Sequence, residues 1–178
     1  MKDLSMHIMD IIQNSVRAEA SHVELMIEEQ PEQDLYRLCI KDNGCGMDEE
    51  TLKRVTDPFF TTRTTRKVGL GISLLKMNAE RTGGGLEISS ELGKGTQVDV
   101  NFSHSNIDRP VLGDIAGTMV LLVGANPGMD FTYRHITPKG EYCFDTREVK
   151  EVLEDVSVND PQIMQYLKEL IRENLNTL

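Results

Sequence analysis

The sequence predicts an α/β (α+β) fold built around a β-sheet. Two segments, 22–29 and 35–42, alternate apolar and polar residues, which is typical of strands buried on one face. Directly before them, segment 4–20 is predicted to be a largely apolar helix. Hydrophobic residues make up 39% of the 178 residues, which is enough for one full core and a smaller additional unit.

The elements of the first hundred residues follow in order. The turn QPEQD joins the first two strands, so these are predicted to form a hairpin. A short helix is predicted over 48–55, where acidic residues occupy the first turn. The threonine-rich stretch 57–68 has no periodicity and is predicted to be a loop. The remaining elements are a helix that begins at Gly69 and ends at glycines 83–85, and the short strands LEISS (86–90) and TQVDVNF (96–102).

The pattern changes near residue 104, which divides the chain into regions 1–103 and 104–178. The stretch HSNIDRPVLGD resembles a linker. Three segments after it are interpreted as strands and two as helices with solvated faces: MVLLVGAN (119–126), FTYRHI (131–136), EYCFDT (141–146), then 146–154 and 161–175. The stretch VGANPGMD is interpreted as a turn between strands. No motif assigns a role to residues 104–178, and partner binding is one hypothesis for them.

Charge and cysteine content exclude several classes of protein. A net charge of −10 argues against binding to nucleic-acid phosphates. Three widely spaced cysteines form neither a disulfide framework nor a CxxC metal site. No run approaches 18 apolar residues and the N-terminus has no apolar signal region, so we expect no membrane attachment and a reducing cytoplasmic location.

The stretch KDNGCGM (41–47) is the first candidate site. Asp-Gly and Asn-Gly pairs favour hairpin turns, but a second alternating strand does not follow, so a strand–loop–helix is predicted instead. Gly44 and Gly46 permit positive φ and a close approach of a ligand to the backbone. A carboxylate only accepts hydrogen bonds, so Asp42 is suited to the exocyclic amine of adenine and disfavours the carbonyl of guanine.

The first predicted helix carries a polar stripe of His7, Asp10, Asn14 and Arg17 at spacings of three, four and three residues. Because most other positions of this helix are apolar, the stripe is expected to face a cleft. Asn14 offers a neutral oxygen that suits Mg²⁺. Asp10, one turn earlier, could accept a proton from a nucleophile, and Arg17 could contact a phosphate. His7 is interpreted as structural, and the other histidines, His22, His104 and His135, as surface residues.

A basic cluster precedes the next predicted helix. Arg63, Arg66 and Lys67 stand close to a single acid, Asp57, in an otherwise acidic chain, and they lead into Gly69-Leu70-Gly71. The free N–H groups at a helix N-terminus favour an anion. The pattern predicts a phosphate site, although no GxxxxGK[ST] P-loop is present.

Five motifs taken together resemble the GHKL ATPases, which include gyrase, heat-shock chaperones, histidine kinases and MutL. In order they are HIMDIIQNSVRA, KDNGCGM, DPFFTTR, KVGLGISLLK and GKGTQVDV, and they cover about residues 4–103. DPFFTTR followed by GLGISL is most similar to the catalytic ATP-binding domain of histidine kinases. The resemblance implies the two-layer Bergerat fold, a mixed sheet with helices on one face and ATP between them. Residues 104–178 would then form a small C-terminal α+β appendage.

The resemblance also implies residue roles. Asn14 matches the Mg²⁺-binding asparagine, and Arg17 falls at a position that often contacts phosphate. Phe59 and Phe60 match the segment before the ATP lid. The other matched positions are Asp42, Gly44, Gly46, Phe60, Gly69, Leu70, Gly71 and Thr96, of which Thr96 would reach adenine through water. Met47, Arg63 and Lys67 are further candidate ATP contacts, the last two as groups that neutralise phosphate charge.

The chain departs from the histidine kinase pattern at two points. Only 13 residues precede Asn14, so the usual phosphoacceptor helix is not expected before the domain. Asp10 stands where histidine kinases often carry asparagine, and where gyrase, MutL and the anti-sigma serine kinases carry a glutamate base. It is therefore interpreted either as a base or as a residue that orients the helix or Mg²⁺-bound water. We therefore expect a stand-alone Mg²⁺–ATP-dependent protein kinase, of the histidine or anti-sigma serine type, that acts on a partner protein. The alternative is an ATP-dependent binding switch with weak turnover. The oligomeric state stays open, a homodimer being one option.

Overall fold

The computed structural model describes residues 2–57, 59 and 71–178, and these residues contain one six-stranded sheet. The strands are β1 (His22–Gln30), β2 (Leu35–Asp42), β3 (Gly85–Glu91), β4 (Gly95–Ser103), β5 (Asp130–Thr137) and β6 (Gly140–Asp145). Their order across the sheet is β3-β4-β2-β1-β5-β6. Only the β1–β5 pair is parallel in this sheet of described residues, so the sheet is mixed, as predicted.

Six helices accompany the sheet in the described part of the chain: α1 (Leu4–Arg17), α2 (Glu49–Arg54), α3 (Gly71–Arg81), α4 (Ile115–Ala125), α5 (Thr146–Leu153) and α6 (Pro161–Asn176). An aspartate side chain accepts a backbone N–H at the start of five of them, which satisfies groups that have no partner inside the helix. The first helix is shorter than the predicted 4–20. It ends at Arg17, and Glu19 takes a left-handed conformation with a φ of 56° that leads the chain into β1.

The core lies between the helices and one face of the sheet. Along β1 and β2 the buried residues alternate with more exposed ones, which confirms the predicted hairpin of half-buried strands. From α1, Leu4, Ile8 and Ile12 are fully buried against this face. Burying one such side chain contributes about 1.5–3 kcal/mol, so these positions stabilise the packing of α1 on the sheet. None of the described helices is long and apolar enough to cross a membrane.

One predicted strand is wrong. MVLLVGAN (119–126) lies almost entirely in α4, whose N-cap is Asp114. A short run that is apolar throughout has no periodicity that separates a buried strand from a buried helix. Packing decides here, because Met119, Val120 and Val123 are buried between neighbouring elements. The stretch VGANPGMD therefore joins a helix to a strand.

Residues 104–178 continue the sheet across position 103. Strand β5 pairs in parallel with β1, and α4 packs against α1. The segment predicted as a linker runs beside the start of α1, where the N–H groups of Leu4 and Ser5 donate to the carbonyls of Val111 and Leu112, each at 2.9 Å. Region 104–178 thus shares the sheet and the core of region 1–103.

A polar cluster of Glu29, His104 and His135 lies at one end of the sheet, and Asp42 lies at the other end. Asp42 pairs with Val23 near the start of β1, whereas Glu29 pairs with Tyr36 near its end. The Glu29 carboxylate contacts His135 Nε2 at 2.8 Å and His104 Nε2 at 3.2 Å. The interpretation of His135 as a surface residue is wrong: it is 5% exposed, because β5 lies inside the sheet between β1 and β6.

Candidate functional site

A cavity of about 450 Å³ lies where β2 ends, between α1 and the turn that joins β3 to β4. Eight of the residues predicted from the sequence line it: Asp10, Asn14, Arg17, Asp42, Gly46, Met47, Gly71 and Thr96. They come from α1, β2, the loop after β2, the start of α3 and β4. The structure therefore brings residues that are up to 86 positions apart into the wall of one cavity.

Asp42 is fixed by three hydrogen bonds. Its Oδ2 accepts from Ser15 Oγ at 2.6 Å. Its Oδ1 accepts from the backbone N–H of Gly44 at 2.9 Å and of Thr96 at 3.3 Å. Donors from a helix, a loop and a neighbouring strand thus hold the carboxylate in one orientation at the cavity wall.

Ser15 is a residue that the sequence analysis missed. It is 2% exposed and follows Asn14 in α1, so it lies beside the polar stripe rather than in it. A serine in a largely apolar helix was the available signal, because a buried hydroxyl requires a partner. Which partner it has depends on the packing of α1 against β2.

The loop after β2 is held by its backbone. Gly46 has a φ of +70°, and a Cβ on it would lie 2.0 Å from the carbonyl oxygen of Glu91, so this position requires glycine. The N–H of Cys45 donates to the carbonyl of Ala18 at 2.9 Å, and the N–H of Gly93 donates to the carbonyl of Cys45 at 2.7 Å. Gly44 contributes its N–H to Asp42 and lies outside the cavity lining, so its predicted contact with a ligand stays a prediction.

The stripe on α1 divides into two parts. Asp10, Asn14 and Arg17 line the cavity, as the spacing predicted. Arg17 Nη2 donates to the side-chain oxygen of Asn14. A Cβ on Gly71 would lie 1.7 Å from Asp10 Oδ2, so the start of α3 packs directly against this carboxylate.

His7, the fourth member of the stripe, lies outside the cavity lining. It is 1% exposed, and its Nε2 lies 3.4 Å from Asn78 Nδ2 in α3. Burial lowers the pKa of His7, which favours the neutral imidazole. The interpretation of His7 as a structural residue is consistent with this position between two helices.

Thr96 is connected to the loop through Ser90, a second residue that the sequence analysis missed. Ser90 Oγ lies 2.8 Å from Thr96 Oγ1, accepts from the N–H of Met47 at 2.8 Å and lies 3.0 Å from the carbonyl oxygen of Gly95. Asp42, Thr96 and Ser90 are cross-strand neighbours on β2, β4 and β3. Their side chains therefore form one row on the face of the sheet that carries the core.

Several predicted contacts lie outside the described residues: Phe60, Arg63, Arg66, Lys67, Gly69 and Leu70. Phe59 is described and is 82% exposed, and its N–H donates to Asp57 Oδ1 at 2.9 Å. The predicted lid and basic cluster stay predictions.

Known sequences are similar to the first part of this chain. A family model described as "Histidine kinase-, DNA gyrase B-, and HSP90-like ATPase" matches residues 2–106. Over 103 residues the chain is 40% identical to a "Putative sensor protein" of Shewanella frigidimarina, an alignment that covers 57% of this chain and 16% of that protein. Over 95 residues it is 38% identical to "Sensor protein SrrB" of Staphylococcus aureus, with 49% and 16% covered. The chain thus spans 16% of the length of each of these relatives.

Solved structures share the fold. The Aquifex aeolicus MutL ATPase domain complexed with ADP superimposes with a TM-score of 0.53 at 19% identity, over 86% of this chain and 70% of that one. The N-terminal domain of a DNA repair protein superimposes with a TM-score of 0.56 at 18% identity, over 80% and 52%. Both alignments extend beyond residue 106 of the family match, so the fold they share includes part of region 104–178.

Proposed function

Because the chain belongs to the family of histidine kinase-, DNA gyrase B- and HSP90-like ATPases, we propose that it binds Mg²⁺–ATP in the 450 Å³ cavity and phosphorylates a partner protein. The observation that carries this proposal is the convergence of Asp42, Asn14 and Asp10 on one cavity wall. Asp42 can accept a hydrogen bond from the nucleobase, Asn14 offers an oxygen to a hard cation, and Asp10 can act as a base, so together they suit the binding and transfer of an ATP phosphate.

Asp42 supports recognition of the adenine amine. Its two oxygens accept from Ser15, Gly44 and Thr96, so the carboxylate cannot turn away from the cavity without breaking these bonds. A fixed acceptor attracts the 6-amino group of adenine and repels the carbonyl of guanine. Leaving such a pair of acceptors unsatisfied costs about 1–3 kcal/mol.

Asn14 of α1 suits a magnesium ion. It lines the cavity and offers an amide oxygen, and hard cations prefer such oxygens. Arg17 donates to the Asn14 oxygen and lines the same cavity, where it would contact a phosphate. Bound Mg²⁺ would neutralise charge on the phosphates. Asp10 would accept the proton of the incoming nucleophile.

The phosphoacceptor is proposed to belong to another protein. Of the four histidines of the chain, His7 and His135 are buried, His104 contacts Glu29, and His22 Nε2 lies 2.9 Å from Thr132 Oγ1. None of the four lines the described cavity. Since no histidine lies in the described cavity lining, we propose that a partner supplies the acceptor residue.

Transfer of label from γ-labelled ATP to co-purifying proteins tests the kinase. We expect a partner protein to become labelled with the wild type and to stay unlabelled with Asp10→Asn, since Asn cannot accept the proton.

The unfolding temperature should be well above its Mg²⁺–GTP value when Mg²⁺–ATP is present, because a bound ligand stabilises the folded state. The absence of any labelled partner, together with a normal ATP-dependent shift, would contradict the kinase and leave ATP binding in place.

The second candidate is an ATP-dependent binding switch with little turnover. It is favoured by the packing of α4, in region 104–178, against α1, the helix that carries Asp10 and Asn14. A change at the cavity could therefore reach a partner held by region 104–178. A fast ATPase that needs no partner and is abolished by Asp10→Asn would count against the switch.

A further inference from the structure

Ser90 lies behind the cavity wall, in hydrogen-bond contact with the hydroxyl of Thr96. It is absent from the cavity lining, whereas Thr96 is part of it. The contact between them is 2.8 Å long and joins neighbouring positions of β3 and β4. Ser90 is half-buried and so has restricted access to water.

The other two contacts of Ser90 decide the direction of this hydrogen bond. A hydroxyl has one proton and two lone pairs. The N–H of Met47 can only donate, so it occupies one lone pair of Ser90 Oγ. The carbonyl of Gly95 can only accept, so it takes the proton of Ser90. Thr96 must then donate its own proton to the second lone pair, which is the arrangement that satisfies all three contacts.

Thr96 consequently presents only lone pairs to the cavity. Asp42 beside it is also an acceptor, and the backbone N–H of Thr96 points to Asp42 Oδ1 at 3.3 Å. We propose that Ser90 is a specificity-determining positioning residue. By orienting the Thr96 hydroxyl it makes this wall of the cavity accept hydrogen bonds only, and so select a purine with a 6-amino group over one with a 6-carbonyl. This inference rests on the proposed nucleotide binding.

The experiment is calorimetric titration of the full chain with Mg²⁺–ATP and Mg²⁺–ITP, whose base carries a carbonyl at position 6. Ser90→Ala frees the Thr96 hydroxyl to rotate and donate toward that carbonyl, through the water that the family resemblance implies at Thr96. We expect the preference for ATP over ITP to fall by about five- to tenfold, the worth of one hydrogen bond. Ser90→Thr keeps a hydroxyl and should restore the preference.

Ser89→Ala is the matched control. Ser89 precedes Ser90 in β3, so its side chain lies on the opposite face of the sheet, where it is exposed and pairs with Gln97 of β4. It should leave the preference unchanged. Thr96→Val removes the group through which Ser90 acts, so adding Ser90→Ala to it should change the preference no further. If Ser90→Ala unfolds the protein, Ser90→Cys supplies the test, since a thiol is similar in size and a weak hydrogen-bond partner.

The outcomes separate this inference from the function on which it rests. An ATP-to-ITP preference of Ser90→Ala within about twofold of the wild type, less than the worth of a hydrogen bond, overturns the inference alone. So does a further fall when Ser90→Ala is added to Thr96→Val. A wild-type chain that binds neither nucleotide overturns the proposed nucleotide binding and this inference with it.

Discussion

The two ends of the central strands carry polar side chains in opposite arrangements. Where β2 ends, Asp42 and Thr96 line an open cavity and are held from behind by Ser15 and Ser90. Where β1 ends, Glu29 accepts from His135 and His104, and the hydroxyl of Tyr133 lies 2.8 Å from His135 Nδ1. At the Asp42 end, neighbouring residues orient polar atoms toward the cavity. At the Glu29 end, the polar side chains form hydrogen bonds with one another.

This difference shows how similar residue types acquire different roles. The Glu29 cluster also borders a concave surface, lined by Leu112 and Lys139 among others, so concavity alone does not separate the two ends. Both oxygens of Glu29 are engaged by imidazoles within the protein. Among the described residues, no group of three or more histidine, cysteine or acidic side chains is arranged to hold a metal. The cluster therefore joins region 104–178 to β1, whereas the cavity at Asp42 is the proposed nucleotide site.

The largest expected effect is on nucleotide affinity at the cavity end. Asp42→Asn should weaken Mg²⁺–ATP binding by about 100-fold, because it replaces a charged acceptor by an amide that can present its N–H₂ group to the base. Isothermal titration calorimetry measures the change. Asp34→Asn is the control, since Asp34 lies at the other end of the sheet and accepts from Ser103 and Ser105. Equal losses in the two variants would refute the distinction between the ends.

A substitution at the Glu29 end should lower the free energy of unfolding and leave nucleotide binding unchanged. Glu29→Gln should lower the free energy of unfolding by about 2 kcal/mol, because hydrogen bonds to a charged group are lost from a cluster that joins β1 to β5. Chemical denaturation measures this loss, and the affinity for ATP should not change. Glu87→Gln, at an exposed position of β3, should have little effect. A large loss of ATP affinity in Glu29→Gln would show that the two ends are coupled.

The pH dependence of Glu29 sharpens the same distinction. The hydrogen bond from His135 lowers the pKa of Glu29 below its ordinary value of 4.5. A carboxyl whose pKa is lower in the folded state stabilises the protein above its unfolded pKa and loses that contribution as the pH falls through the folded value. The difference in unfolding free energy between wild type and Glu29→Gln should thus be smaller at about pH 3 than at about pH 5. A difference that grows over this interval would contradict the assignment.

The smallest effect concerns the hydroxyl of Tyr36, beside the Glu29 cluster. Tyr36 is 2% exposed, and the guanidinium carbon of Arg109 lies 4.4 Å from the centroid of its ring. Burial raises the pKa of its phenol. The hydroxyl has no hydrogen-bond partner among the described residues. Tyr36→Phe should therefore leave the unfolding free energy unchanged or raise it by up to about 1 kcal/mol. A clear loss of stability would show that this end contains a bond beyond those described.

Much of the fold and the cavity followed from local patterns in the sequence. The alternation of segments 22–29 and 35–42 predicted the hairpin, and the spacing of Asp10, Asn14 and Arg17 predicted a stripe that faces a cleft. Each of these patterns repeats within a few residues, so it can be recognised without knowing how distant segments pack. The strand assigned to MVLLVGAN failed because a run that is apolar throughout carries no such period.

By itself, the sequence determined the local pattern of acceptors, glycines and an amide from which a nucleotide site is predicted. Only the tertiary structure decided which side chains orient them and which polar residues serve the fold instead. Ser15 and Ser90 gain their roles from contacts 27 and 6 positions away, and His135 is buried by a strand pairing that spans more than 100 residues. The physical reason is that a side chain becomes buried, and finds its hydrogen-bond partner, only when segments that are distant in the sequence pack together.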